Sequence, residues 1–302
     1  MAFTFASPRD TPRALREILR ERIERAGDHL AAPARQRAEG IHEARKRFKE
    51  LRAVLKLLPD QDEPGVAALD RQFRDAGRAL SGTRDAQALL ECWDKLNAAD
   101  PGPLDTPLGR SFHAALRRNA RAHLHETDTL VGTLEGLRAA LQDHPPHLPE
   151  FAAAADGFTL IEPGLRRSYR AGRRQLESVA HDPTAERFHD WRKRVKDHWY
   201  HSRLIAGAWP EALEYRQQRF KLLSDLLGDD HDLDVLAGQL RQWPDRPRQG
   251  AQRETLFAAI ARRQAVLRRD ALALGRRLYA ENPRAFTRRI AVYWSLWDQE
   301  QP

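Results

Sequence analysis

The chain reads as an all-α protein. Apolar residues recur at helical spacing almost everywhere, and strand-like alternation of β-branched residues is nearly absent. Prolines and glycines cut the sequence into segments of roughly ten to thirty residues, the lengths of helices in a bundle. Pro8 and Pro12 sit near the first helix start. Pro33, Gly40, Pro59, Pro64, Gly82, Pro101, Pro103 and Pro107 punctuate the first half. The run HPPHLP at 144–149 separates the halves, and Pro163, Pro183, Pro210, Pro244, Pro247 and Pro283 punctuate the second.

An internal repeat organises these segments. IHEARKRFKELRAVLKLL begins at Ile41 and FHDWRKRVKDHWYHSRLI begins at Phe188. His42 and His189, Arg45 and Arg192, Lys46 and Lys193, Arg47 and Arg194, and Lys49 and Lys196 all stand 147 positions apart. Phe73 and Phe220 keep that offset, as do Asp85 and Asp232, so LSGTRDAQALL aligns with LLGDDHDLDVL without a gap. A constant offset across two separate helices argues duplication. Two similar helical halves related by an approximate two-fold axis are expected.

On a helical wheel, Ile41, Ala44, Phe48, Leu51, Leu55 and Leu58 form one apolar stripe. His42, Arg45, Lys46, Lys49, Arg52 and Lys56 fall on the other side within an arc of about 120°. In the second copy, Phe188, Trp191, Val195, His198 and Ile205 make the stripe, and His189, Arg192, Lys193, Lys196 and Arg203 the basic face. Arg47 and Arg194 lie off the arc and are expected to contribute little. Like charges one turn apart repel. Glu43 and Glu50 lie off the arc, so the face is expected to be costly without an anion. A single charge run is usually a solvated surface; its repetition position for position favours a binding face. The two histidines read as phosphate donors or helix-start anchors, with no metal partner one turn from His42.

Net charge alone fits a soluble helical protein with a salt-bridged, arginine-rich surface, and the distribution of charge decides the partner class. The 302 residues carry 51 Lys+Arg against 43 Asp+Glu, a formal +8, which favours polyanions through long-range attraction. Mean hydropathy is -0.70, and no apolar run reaches the roughly 18 residues of a spanning helix. Cys92 is the single cysteine, which excludes an internal disulfide and a multi-cysteine metal site. MAFTFASPRD carries no secretory pattern, so a reducing cytoplasm is expected.

These motifs resemble the CHAD family, the conserved histidine α-helical domain. His42, Arg45, Lys49 and Arg52 match its first-half pattern, and His189, Arg192 and Lys196 its second. Where the family often has Arg-Tyr, the chain has Trp199-Tyr200, one cation fewer. Leu80-Ser81-Gly82-Thr83-Arg84-Asp85 and Leu227-Gly228-Asp229-Asp230-His231-Asp232 resemble the family's helix-joining element. The resemblance implies one domain over 1–302 with halves 1–146 and 147–302. It also implies two four-helix bundles in pseudo-two-fold symmetry around a basic cavity that binds inorganic polyphosphate, with association with polyphosphate granules.

Weaker signals are the ladders Arg13, Arg16, Arg20 and Arg166, Arg170, Arg173, the latter beside Tyr169; they read equally as candidates for lining the same cavity and as ordinary solvated helix faces. Asp85 and Asp232 read as helix N-caps or helix-start carboxylates, with an ion pair from Asp85 to the basic arc as the sharper alternative. His-Asp dipeptides at 181–182, 189–190 and 231–232 suggest a metal-dependent phosphohydrolase only weakly, because that chemistry needs further ligands. Phosphate-loop, dinucleotide and nucleophile-elbow motifs are missing. The expected function is therefore polyphosphate binding without catalysis or cofactor. Nucleic-acid binding is the alternative, and a phosphohydrolase the more remote one.

Overall fold

A computed structural model describes residues 3–58, 64–124, 128–142, 157–244 and 249–301. Among the described residues all regular structure is helical. The order is α1 (Thr11–Leu30), α2 (Arg37–Leu57), α3 (Pro64–Ala79), α4 (Ser81–Ala99), α5 (Pro107–Leu124), α6 (Asp128–Gln142), α7 (Phe158–His181), α8 (Ala185–Leu204), α9 (Pro210–Gln242), α10 (Gly250–Leu278) and α11 (Pro283–Gln299). Several prolines act as predicted: Pro64, Pro107, Pro210 and Pro283 each open a helix, where the missing N–H costs nothing. Pro163 does not; it lies inside α7. HPPHLP at 144–149, Pro59 and Pro247 lie outside the described residues.

The paired loop motifs behave differently. Leu80 breaks the chain between α3 and α4, so the first copy joins two helices. The second copy lies within α9, which runs unbroken for 33 residues. Asp232 is therefore a mid-helix residue and Asp85 sits in the second turn of α4. Neither is an N-cap.

Buried apolar side chains form two clusters. The larger gathers α1, α2, α3 and α6 with α7, α8, α11, the start of α9 and the end of α10. The smaller joins α4 and α5 to the end of α9 and the start of α10. Both clusters draw on both halves of the sequence, so the halves do not build separate cores. The helices pack closely where α7 crosses the end of α2: a Cβ at Gly164 would lie 1.9 Å from the Leu57 carbonyl oxygen. Any side chain there would push the helices apart.

The centre of the larger cluster is charged. Glu50 is fully buried, and Arg47 Nη1 and Arg203 Nη1 donate to its two oxygens at 2.7 and 2.8 Å. Arg22 Nη1 lies 3.5 Å away. Arg22 also pairs with Glu21 at 3.0 Å, and Arg47 with Glu43 at 2.8 Å. Three carboxylates thus meet three guanidiniums. Arg47, expected to be an idle off-arc residue, is a buried strut: its side chain is 8% exposed, so it cannot serve as a neutral control.

A second pair mirrors this one. Lys56 Nζ donates to Asp197 at 2.8 and 2.9 Å. Lys56 and Arg203 stand 147 apart, and so do Glu50 and Asp197. The α2–α8 contact is therefore reciprocal, each helix giving one cation and one acid.

Breaking a buried pair strands a charge, at a cost of about 3–5 kcal/mol. Glu50→Gln should destabilise by about that amount in urea unfolding. Asp197→Asn, with its side chain 18% exposed, should cost less than half as much. Equal losses would show that burial does not set the difference.

Candidate anion-binding site

The basic face of α2 is largely neutralised by acids from its surroundings. Arg45 donates to the Gly77 carbonyl and stands 3.9 Å from Asp85, the ion pair posed as the sharper alternative. Lys46 lies 3.2 Å from Glu43. Arg52 forks onto Asp70 at 2.9 and 3.1 Å, and Lys56 is held by Asp197. His42 is exposed, with Nε2 4.0 Å from Glu43, and Lys49 is exposed. The expected uncompensated repulsion is thus corrected: the acids come from α3, α4 and α8 as well as from α2 itself.

The face of α8 is different. Lys193 pairs with Asp190 at 2.8 Å, and Arg203 is committed to Glu50, lying over the rings of Phe3 and Trp199. Arg192 and Lys196 are half-buried and have no hydrogen-bond or ion-pair partner among the described residues. The Arg192 Nε is buried and unbonded. It reaches across to α9 at Gly228, where an added Cβ would lie 3.7 Å from it.

Burial, and then the neighbouring Arg192, push Lys196 down to about 8. From α9, Lys221 lowers it further, while Asp225 and Asp232 oppose the shift. Asp225 is itself held by Lys221 at 2.6 Å.

His189 turns away from the role of lone donor. Its Nδ1 meets Nδ1 of His231 at 3.1 Å, with ring centroids 4.3 Å apart. Burial lowers both, His231 to about 4, and the cations Arg192 and Lys193 act in the same sense. Two of the His-Asp dipeptides thus meet, yet among the described residues no three His, Cys, Asp or Glu side chains could hold a metal.

Of the weaker candidates, Tyr169 is corrected. It is fully buried, stacked on Phe286 with centroids 4.4 Å apart, and its hydroxyl donates to the Leu278 carbonyl at 3.1 Å. It belongs to the core. Arg173 donates to the Glu281 carbonyl and to Glu177. Arg20 and Arg170 are exposed and Arg16 is half-buried; no hydrogen bond or ion pair among the described residues joins these three to either basic face. A cleft lined by Leu30, Ala31, Arg37, Leu134 and Arg138 takes no residue from those faces either. No helix among the described residues is long and apolar enough to cross a membrane.

A family model described as the CHAD domain matches residues 17–241. The chain belongs to the CHAD family. A crystal structure of the CHAD domain from the plant Ricinus communis is similar over 90% of both chains, with a TM-score of 0.53 and 21% identity. That likeness supports the fold. No curated protein matches the chain. The match ends at 241, so α10 and α11 lie beyond it while still closing both cores of this CHAD protein.

Apart from Asp85, sequence reasoning missed the acids that neutralise α2, and it missed His231 as a partner of His189. The repeat held one usable signal: Glu50 and Asp197 keep the 147 offset with opposite-charge mates Lys56 and Arg203.

The Lys196 shift carries a sign. The folded value, about 8, lies below the ordinary 10.5, so the unfolded chain binds more protons between those values and stability rises with pH there. Lys196→Met should therefore raise the melting temperature at pH 7 without ligand. The gain should shrink between about pH 8 and 10. A variant less stable than the parent at pH 7 would contradict an uncompensated lysine.

Proposed function

We propose that this CHAD protein binds inorganic polyphosphate, seating phosphate groups where α8 faces α9, at Arg192 and Lys196, and leading the chain towards α2. One observation carries the reading: two adjacent half-buried cations stand without a partner on a face whose other α8 cations are held in ion pairs. A desolvated charge left unpaired is costly, and an anion would remove that cost while raising the Lys196 pKa again. Family membership adds weight, because CHAD domains are linked in general to polyphosphate.

Duplication with pseudo-two-fold symmetry is part of the proposal. Its support is the constant offset and the reciprocal pairs Lys56–Asp197 and Arg203–Glu50, the pattern an isologous contact requires. The starts of α1 and α7 and the ends of α2 and α8 also differ by 147. The two basic faces approach each other where Lys56 grips Asp197, the residue after Lys196. A long polyanion crossing that point touches both faces and gains from effective concentration.

We read the site as binding rather than catalytic. Cys92 is buried and pushed up to about 12, chiefly by burial, which leaves it inert as a nucleophile. Cytoplasmic residence on polyphosphate granules belongs to the same reading. Nucleic acid is the weaker ligand, because Trp199, the aromatic of the α8 face, is already flanked by Arg203 and Lys221 and offers little free ring for base stacking.

Calorimetric titration with long-chain polyphosphate, pyrophosphate and single-stranded RNA at matched salt tests the proposal. Each charge-assisted contact is worth about 1.5–3 kcal/mol, so Arg192→Gln with Lys196→Gln should weaken polyphosphate binding by about a hundredfold or more. Arg194→Gln, half-exposed and off the arc, should change it by about twofold or less. Equal losses would reduce the site to diffuse attraction, and tighter RNA binding would favour the alternative.

Affinity should also be level below pH 7 and fall above about pH 8, by up to about tenfold per pH unit, as Lys196 loses its proton. Lys196→Arg should abolish that fall. A profile unchanged by this substitution would assign the proton elsewhere.

A further inference from the structure

The chain contains seven lysines, and five of them lie on α2 and α8. Lys46, Lys56, Lys95, Lys193 and Lys221 each touch a carboxylate, at distances between 2.6 and 3.2 Å. A carboxylate holds an ammonium protonated; Asp229, for example, raises Lys95. Lys49 is exposed on α2. Lys196 alone combines partial burial, a cationic neighbour one turn back at Arg192, and no acidic partner among the described residues. Its amine is the one among the half-buried lysines that no carboxylate holds, and it stands one turn from Arg192, whose guanidinium has no hydrogen-bond or ion-pair partner among the described residues.

We propose that Lys196 is a site of acyl transfer from acyl phosphates, docked through their phosphate on Arg192, and that this modification switches off the anion site. The inference rests on the reading of the α8–α9 face as a phosphate site. In the step, the neutral Nζ attacks the acyl carbon. A C–N bond forms, the C–O bond to the phosphate breaks, phosphate leaves with the electron pair, and the amine proton passes to phosphate or water. The product is a neutral amide. It removes the charge of Lys196 and leaves Arg192 alone to meet a phosphate.

Physical chemistry sets the selectivity. Without ligand, where Lys196 is pushed down to about 8, about half is free amine at pH 8, whereas an ordinary lysine near 10.4 has well under about 1%. A phosphate docked on Arg192 offsets part of this difference, and the proximity it gives the acyl carbon acts the other way. Lower basicity takes back part of that advantage, so a preference of about tenfold or more is expected. Arginine cannot do this chemistry, because it stays protonated. That distinction gives meaning to a lysine at this point of an arginine-rich chain.

The test uses the full chain and acetyl phosphate at pH 8, with acetylation followed at each lysine by mass spectrometry. Lys196 should react at least about ten times faster than Lys46, Lys193 or Lys221. Excess pyrophosphate should slow Lys196 and leave Lys46 unaffected. An uncharged acetyl ester should show a weaker preference for Lys196 than acetyl phosphate does. Polyphosphate affinity should fall in step with Lys196 acetylation, whereas Lys196→Arg, treated in the same way, should keep whatever affinity it started with. Reaction at Lys196 no faster than at the other lysines overturns the proposal, and so does equal preference with the uncharged ester. Titration of untreated protein with polyphosphate separates the two levels: normal binding with unselective acetylation sinks only this inference, and absent binding sinks the function on which it rests.

Discussion

The buried carboxylate of Glu50 joins three helices at one point, and the arrangement of the basic helices depends on it. It accepts from Arg47 on its own helix and from Arg203 on α8, with Arg22 of α1 close by. A charge removed from water at this depth survives only with compensation from several donors. Glu21 and Glu43 add to that compensation by pairing with Arg22 Nη2 and Arg47 Nη2. Because Arg203 and Lys56 reach in opposite directions across the same contact, the crossing of α2 and α8 is fixed in register as well as in angle. A slip of one turn would break both pairs together. Specificity of this kind is a known use of buried polar groups, and here it sets where the two basic faces meet.

The same logic explains why similar sequences on α2 and α8 give unequal sites. Arg52 is matched by Asp70, and both charges disappear together in the second copy, where Trp199 and Gln217 stand at the corresponding positions. Arg45 finds the Gly77 carbonyl and Asp85, whereas Arg192 faces α9 at Gly228 and has no hydrogen-bond or ion-pair partner among the described residues. An anion arriving at α2 must compete with existing carboxylates. At Arg192 and Lys196 no carboxylate is hydrogen-bonded among the described residues. On the proposed reading the second helix would then be the stronger seat for a short phosphate, and the first would come into use with a longer ligand.

Much of this was legible in the sequence. Helical periodicity gave the class, and the offset placed α2 and α8 with ends that match it. The apolar stripe containing Phe48, Leu51, Trp191 and Val195 is buried as the wheel requires. The remainder needed three dimensions. Ion pairs such as Arg52–Asp70 and Lys56–Asp197 join residues 18 and 141 apart, and a wheel of one helix shows only the acids of that helix. Tyr169 beside an arginine ladder read as a candidate for lining the cavity; the close packing of α7 against Phe286 and Tyr279 makes it core. Leu-Gly-Asp-Asp-His-Asp carries loop-forming residue types, yet the packing of α9 against α8 and α10 keeps it helical. Tertiary context overrides such local preferences.

The choice between lysine and arginine on the two helices follows from these environments. Where a cation must hold a buried carboxylate, as at Arg22, Arg47 and Arg203, the chain uses arginine. Its planar fork serves several acceptors, and its charge persists under desolvation. At Lys196, which no carboxylate holds among the described residues and which we propose to meet phosphate, the chain uses a group whose charge depends on its surroundings. On the proposed reading, a lysine beside Arg192 loses part of its charge at alkaline pH without ligand, and a bound phosphate would restore part of it. Binding and protonation are then coupled, and the coupling is absent from every position where arginine already serves as a structural tie.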